Sequence, residues 1–299
     1  MFVIKYRKIF FILSSIMVIA ALALVVFSGL TFGIDFTGGS ILEVEYVGVR
    51  PEASLLRERI NSLPIGEYRL QPTGESGFVI RTKELSESER VGVLELLNVP
   101  EAGEIVEKRF NTVGPVIGEE LKQKAYIAII IVVLAIILFI AFSFRKVSKP
   151  VSSWKYGLAA IVALIHDIII PTGFFVILGH IAGAEIDILF VTALLAILGF
   201  SVNDTIIVFD RVRENLSLNQ ESRNQEPFET TVGRSLNQTF ARSINTSFTT
   251  LIVLLALYII GGDATKYFAL TLIIGVIAGT YSSIFLASPL LVFFGPKKE

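Results

Sequence analysis

Residues 188–215 read ILFVTALLAILGFSVNDTIIVFDRVREN, an apolar run from Ile188 to Phe209 with one carboxylate, Asp204, set inside it. A helix of about 20 apolar residues crosses the hydrocarbon core of a bilayer, and this run has company. Ile9–Leu30, Tyr126–Phe144, Tyr156–Leu178, Ile244–Ile260 and Tyr267–Phe294 have the same character, in a chain that is 53% hydrophobic with a mean hydropathy of +0.70. The fold class is therefore an α-helical polytopic membrane protein with six transmembrane helices, and a soluble enzyme is excluded.

The distribution of charge sets the expected topology. Lys and Arg crowd alternate connections: Lys5, Arg7 and Lys8; Arg145, Lys146, Lys149 and Lys155; Arg211, Arg213, Arg223, Arg234 and Arg242; Lys297 and Lys298. The opposite short loops, Gly179–Asp187 and Gly261–Lys266, hold a single Lys between them. Positive connections stay inside, so both termini are expected in the cytoplasm. The first span is too long for the apolar part of a signal peptide, and no A-x-A site precedes GIDFTGG, so it reads as an uncleaved anchor.

This topology divides the chain into a cytoplasmic N-terminus with the first helix (1–30), an exterior domain (31–122) and a five-helix membrane bundle (123–299). The exterior stretch has the pattern of a small globular domain. SILEVEYV alternates, PEASLLRERINSL opens a helix, and EYRLQPT and GFVIRT flank the turn TGESG. SESERVGVLELLN begins with Ser86 three residues before Glu89, the spacing of a capping box, and EIVEKRFNTVG closes with a strand. The order βαββαβ predicts an α+β ferredoxin-like domain between helices 1 and 2. It contains no histidine, no cysteine, no nucleophile elbow and no phosphate loop, so covalent chemistry is not expected there.

Where the chain leaves the first span it reads GIDFTGGS. Gly33, Gly38 and Gly39 permit backbone conformations closed to other residues, and Asp35 and Thr37 can bond local amides, so a special tight turn accounts for the motif. GIDFTGG after a first membrane helix is also similar to the signature of the SecD/SecF family. ALIHDIIIPTGFF (Ala163–Phe175), SVNDTIIVFDRVREN, ARSINTSFTTL and GTYSSIFLASPL resemble that family's later helices, so the resemblance covers nearly the whole chain. One exterior domain on six spans, with the N-D-T and F-D-R-x-R-E-N pattern, resembles the SecF branch rather than SecD.

The resemblance implies a multi-pass protein of the bacterial cytoplasmic (inner) membrane that, with a SecD-like subunit, uses the transmembrane ion gradient to promote protein export. Its implied partners are a SecYEG-type channel, a YajC-like accessory protein, unfolded secreted protein as substrate, and membrane lipid. No nucleic acid, cofactor, metal or catalytic site is implied.

Physics alone gives Asp204 a role. A carboxylate at this depth is too costly to face lipid; it faces the protein interior, pairs, or lines an ion path. Ser201 and Val208 share its helical face. Arg242, with Asn245, Thr246 and Thr249, recurs at helical spacing on the fifth span, which makes either a hydrated stripe beside Asp204 or a snorkelling cation with back-bonded threonines. His166 and Asp167, adjacent on the third span, point about 100° apart and are expected to meet different partners, one as a relay or both as bundle contacts. The expected ion pathway is thus Asp204, Arg242, Asn203, Thr246, Thr249, His166 and Asp167. Gly275, Gly279 and Ser283 recur every four residues and predict a close-packing seam.

Two other functions fit parts of this pattern. A stand-alone RND-like exporter of small molecules or lipids would need the same ion-carrying groups. An intramembrane aspartyl protease would use Asp167 and Asp204 as a dyad, but the chain offers H-D and V-N-D in place of that class's Y-D and G-x-G-D.

Overall fold

A computed structural model describes residues 2–144, 152–221 and 226–295. Arg145, Lys146, Lys149, Arg223, Lys297 and Lys298, used above for topology, lie outside the described residues. The chain forms two compact units, Phe32–Tyr126 and a second made of Met1–Thr31 with Ile127–Glu299.

In the first unit the alternation of Gly39–Tyr46 becomes strand β1, with Leu42, Val44 and Tyr46 turned inward and Ile41, Glu43 and Glu45 outward. Helix α2 (Ala53–Ile60), strands β2 (Tyr68–Thr73) and β3 (Gly77–Thr82), helix α3 (Glu87–Leu97) and strand β4 (Ile105–Val113) follow. The sheet is antiparallel throughout, in the order β2-β3-β1-β4, which is the ferredoxin-like arrangement. Pro72, which cannot donate to a ladder, sits on the edge strand β2, where one flank needs no partner. Leu56 and Ile60 of α2 and Val93 and Leu97 of α3 pack on Leu42, Val44, Phe78 and Ile80 to make the core. The Tyr46 hydroxyl donates to the Leu97 carbonyl at 2.7 Å, and burial pushes its pKa up to about 12.

Ser86 caps α3 as its spacing predicts: the Glu89 carboxylate accepts the Ser86 backbone N–H at 2.8 Å, and the Ser86 hydroxyl accepts the Glu89 N–H. That backbone hydrogen bond, then the Ser86 hydroxyl and Lys83, hold the Glu89 pKa down at about 2.

Among the described residues, six helical segments are long and apolar enough to cross a membrane. They are α1 (Arg7–Ser28), α4 (Pro115–Ser143), α5 (Ser153–Ala182), α6 (Ile188–Glu221), α7 (Phe228–Ile260) and a last segment of α8 (Asp263–Ser282), a π-helical turn (Ser283–Ala287) and α9 (Ser288–Phe294). Helix α8 packs against α5, α6 and α7. Large apolar side chains such as Ile16 and Ile19 on α1, Ile131 and Leu138 on α4, and Val253 and Ile259 on α7 remain exposed, which water would not tolerate in such numbers and lipid does.

Helices α6 and α7 run well past their apolar cores. The polar stretch expected to connect them is largely helical, because its Asn, Ser and Thr residues bond across the seam between the two helices. Asn215 donates to Ser235 at 2.8 Å and to Gln238 at 2.9 Å, and Asn219 donates to Thr231 at 2.9 Å. Arg7, the first residue of α1, pairs with Glu229 on α7 at 2.6 Å.

Candidate functional site

The Gly275–Gly279–Ser283 seam finds its partner within the chain. A side chain at Gly275 would overlap Ile197, and one at Gly279 would press on Ser201, so α8 approaches α6 as closely as backbone allows. This contact brings two carboxylates and several hydroxyls together inside the bundle. Asp167 (α5) is 0% exposed and Asp204 (α6) 4%.

Three groups converge on Asp167. His166 Nδ1 lies 2.8 Å from its Oδ1, Ser282 donates to Oδ2 at 2.7 Å, and Ser201 donates to the same oxygen. Asp204 accepts from Ser283. Neighbouring serines on one helix therefore serve two carboxylates on two other helices, at the point where α8 gives way to the π turn. Single π turns concentrate at functional sites, and Ser288 closes this one by donating to the Ser283 carbonyl at 2.8 Å.

Two expectations change. His166 and Asp167 were expected to reach different partners; instead they bond each other, because short side chains on consecutive residues can curl together across the helix surface. His166 Nε2 is buried without a hydrogen-bond partner among the described residues, and the ring stacks on Tyr281 at 5.9 Å. Secondly, Arg242, Asn245, Thr246 and Thr249 are exposed on α7, as is Asn203 on α6, and among the described residues none makes a hydrogen bond or ion pair with Asp204. Thr249 donates back to the Asn245 carbonyl at 3.0 Å. The helix period explains the miss. Ser243, one residue on from Arg242 and about 100° away, is 1% exposed and stands beside the Asp204 carboxylate. The signal was present in the sequence as a second four-residue repeat, Thr231, Ser235, Thr239, Ser243 and Ser247, all buried.

The GIDFTGG turn uses two of its three glycines as expected; Gly33, at φ −77° and ψ 174°, has extended backbone that any residue adopts. One helical turn, Ile34–Thr37, is followed by Gly38 at φ +72° and Gly39 at φ +124°. A Cβ on Gly38 would stand 2.7 Å from Pro115 Cα, and one on Gly39 would stand 2.5 Å from the Thr82 carbonyl, so a side chain is blocked by sterics as well as by φ. Thr37 donates to the Gly33 carbonyl at 3.0 Å, and Asp35 lies in the first turn.

These features define a class: a polytopic helical membrane protein with a ferredoxin-like insertion and a pair of buried carboxylates held by hydroxyls between its helices. The family described as protein export membrane protein SecD/SecF, C-terminal, matches residues 95–297, and the SecD/SecF GG motif matches residues 23–47. The chain belongs to the SecD/SecF family. It is 42% identical over 300 residues to protein translocase subunit SecF of Thermobaculum terrenum, covering 97% of this chain and 92% of the relative. It is 32% identical to protein translocase subunit SecDF of Brucella abortus, covering 98% of this chain and 38% of that one. The crystal structure of SecDF from Thermus thermophilus, described as a translocon-associated membrane protein, superposes with a TM-score of 0.83 at 32% identity, over 97% of this chain and 38% of the SecDF chain. The chain is thus a multi-pass protein of the bacterial inner membrane whose relatives are protein translocase subunits.

Proposed function

We propose that the chain is the SecF-type half of a SecD/SecF unit that uses the transmembrane ion gradient to promote protein export, with Asp204 as its ion-carrying carboxylate. The observation that carries this reading is the state of Asp204: buried inside a span, faced by the hydroxyls of Ser283 and Ser243, and without an ion pair among the described residues. Desolvating a carboxylate costs several kcal/mol unless a cation accompanies it, so the site is suited to taking up a proton or small cation and releasing it. Asp167, with two serine donors and the His166 ring against it, is the better-held member of the pair.

Arg242, Asn203, Thr246 and Thr249 have a place in this scheme. Polar side chains exposed within a span need a protein or water neighbour rather than lipid. In the SecDF relatives, whose chains are much longer than this one, a SecD portion is present to provide it. We assign this face to a SecD-like subunit, so that these four residues meet the ion path at the shared interface. A benzoylphenylalanine in place of Thr246 should form an adduct with a co-expressed SecD-like chain on irradiation; adducts with lipid alone would remove the partner. The SecYEG-type channel, the YajC-like accessory and an unfolded secreted chain are the further proposed contacts. The names of the relatives favour protein export over small-molecule efflux.

The proposed orientation puts both termini and the polar ends of α6 and α7 in the cytoplasm, and residues 31–122 outside, following the Lys and Arg distribution. The chain has no cysteine of its own, so Glu75→Cys and Ser217→Cys report sidedness directly. In intact cells an impermeant thiol reagent should modify position 75 and not 217; the reverse pattern would invert the topology.

A further inference from the structure

The helical turn Phe2–Lys5 ahead of α1 is held by two apolar anchors. Val3 packs with Val208, Leu236 and Ile284, and Ile4 with Val212, Leu216 and Val232, so the turn is fixed against α6 and α7. The helix breaks at Tyr6 (φ −101°, ψ 19°) and restarts as α1. A cavity of about 630 Å³ lies at this break, between the start of α1 and the first turns of α7. Sites for small molecules commonly measure about 300–1,000 Å³.

The polar lining is Lys5, Arg7 and Lys8 against Glu229 and Thr230. Arg7 belongs to the wall: it pairs with Glu229 at 2.6 Å and donates to the Ile4 carbonyl at 3.2 Å. Lys5 and Lys8 are exposed and make no ion pair among the described residues, so with Glu229 neutralised the cavity keeps two unmatched positive charges. An anion fits there, and the position of the cavity decides its kind. The apolar run of α1 starts at Ile9, which lines the cavity. Ile9, Ile12, Ile16 and Ile19, all exposed, continue from it along one face of α1 at spacings of three and four. Phe2 and Tyr6, with ring centroids 4.9 Å apart, are exposed at the same end, as aromatic residues are at a membrane boundary. A soluble anion such as inorganic phosphate would engage the lysines and leave the apolar stripe unused; a phospholipid engages both.

We propose that this cavity binds the phosphodiester of an anionic phospholipid, with Lys5 and Lys8 as its cationic contacts, the Arg7–Glu229 pair as a fixed wall, and the isoleucine stripe of α1 as the track of an acyl chain. The site is separate from the buried carboxylates and does not depend on their role. Attraction to an anionic headgroup amounts to a factor of about five for each nearby Lys.

Tryptophan fluorescence tests this in the full-length chain, because bromine quenches it only at close range. Trp154→Phe removes the single native tryptophan, and Ile9→Trp places a reporter at an exposed position in the cavity wall. In phosphatidylcholine bilayers holding a minor fraction of phosphatidylglycerol, bromines on the phosphatidylglycerol chains should quench position 9 severalfold more effectively than the same fraction of brominated phosphatidylcholine. Lys8→Gln should cut that preference about fivefold, whereas Lys8→Arg should keep it. Arg213→Gln, which removes a positive charge outside the cavity, should keep it as well. Equal quenching by the two lipids overturns the proposal. So does an equal loss in Arg213→Gln, which would make the preference a diffuse surface field. Inorganic phosphate exchanged for chloride at constant ionic strength should leave the preference unchanged; its collapse would give the lysines to a soluble anion and overturn the lipid as occupant.

Discussion

Asp204→Asn is expected to leave the chain folded and inserted but to reduce gradient-driven release of secreted protein by about tenfold or more, the scale on which positioned proton-transfer groups contribute. The amide occupies nearly the same volume and still accepts the hydrogen bond from Ser283, so the contact between α6 and α8 survives. What it cannot do is bind and release a proton. The measurement is release of a secreted protein from membrane vesicles, with and without the ion gradient, at matched membrane levels of native chain, Asp204→Asn and Arg242→Gln. Arg242 is exposed and makes no hydrogen bond or ion pair with Asp204 among the described residues, so Arg242→Gln should lose less. Gradient dependence that persists in the Asn chain would return Asp204 to a packing role and end the proposed function as stated.

The second large effect concerns the ferredoxin-like domain. Phe78 is 1% exposed, packs edge-on to Tyr46 with ring centroids 6.3 Å apart, and sits at the centre of the only sheet among the described residues. Truncating a buried Phe to Ala removes about 3–5 kcal/mol, while a small domain holds about 5–15 kcal/mol in all. The excised segment 32–126 should therefore unfold cooperatively in urea as the native sequence, and should lose most of its stability as Phe78→Ala. Val79→Ala, on the half-exposed opposite face of the same strand, should cost far less. Similar unfolding midpoints for the two variants would show that the sheet does not bury the face assigned to it.

Much of this protein could be read without coordinates, for reasons that differ from part to part. The six spans were legible because crossing a bilayer requires a run of apolar residues, and such a run survives any arrangement of its neighbours. The ferredoxin-like domain was legible because its strands alternate with period two and its turns and capping box are local; Ser86 and Glu89 need only each other. Gly38 and Gly39 announced a turn for the same reason, since positive φ is a property of the residue itself. The burial of Asp204 was implied by its depth alone.

Which faces meet was a different matter. Helix α7 carries two polar repeats, Arg242–Asn245–Thr246–Thr249 and Thr231–Ser235–Thr239–Ser243–Ser247, and each has a sound helical period. Period shows that a stripe exists but not what lies opposite it. The close approach of α8 to α6 through Gly275 and Gly279 chose the second stripe and left the first, including Arg242, on the outside. The same packing set Ser282 on Asp167 and Ser283 on Asp204, and drew the polar extensions of α6 and α7 into one bonded hairpin. Composition and period determined that the chain is a membrane bundle with a folded insertion and a buried carboxylate. Tertiary structure alone decided the company that carboxylate keeps, because burial and hydrogen bonding within a bundle belong to pairs of helices, and no single helix encodes the rotation of its neighbour.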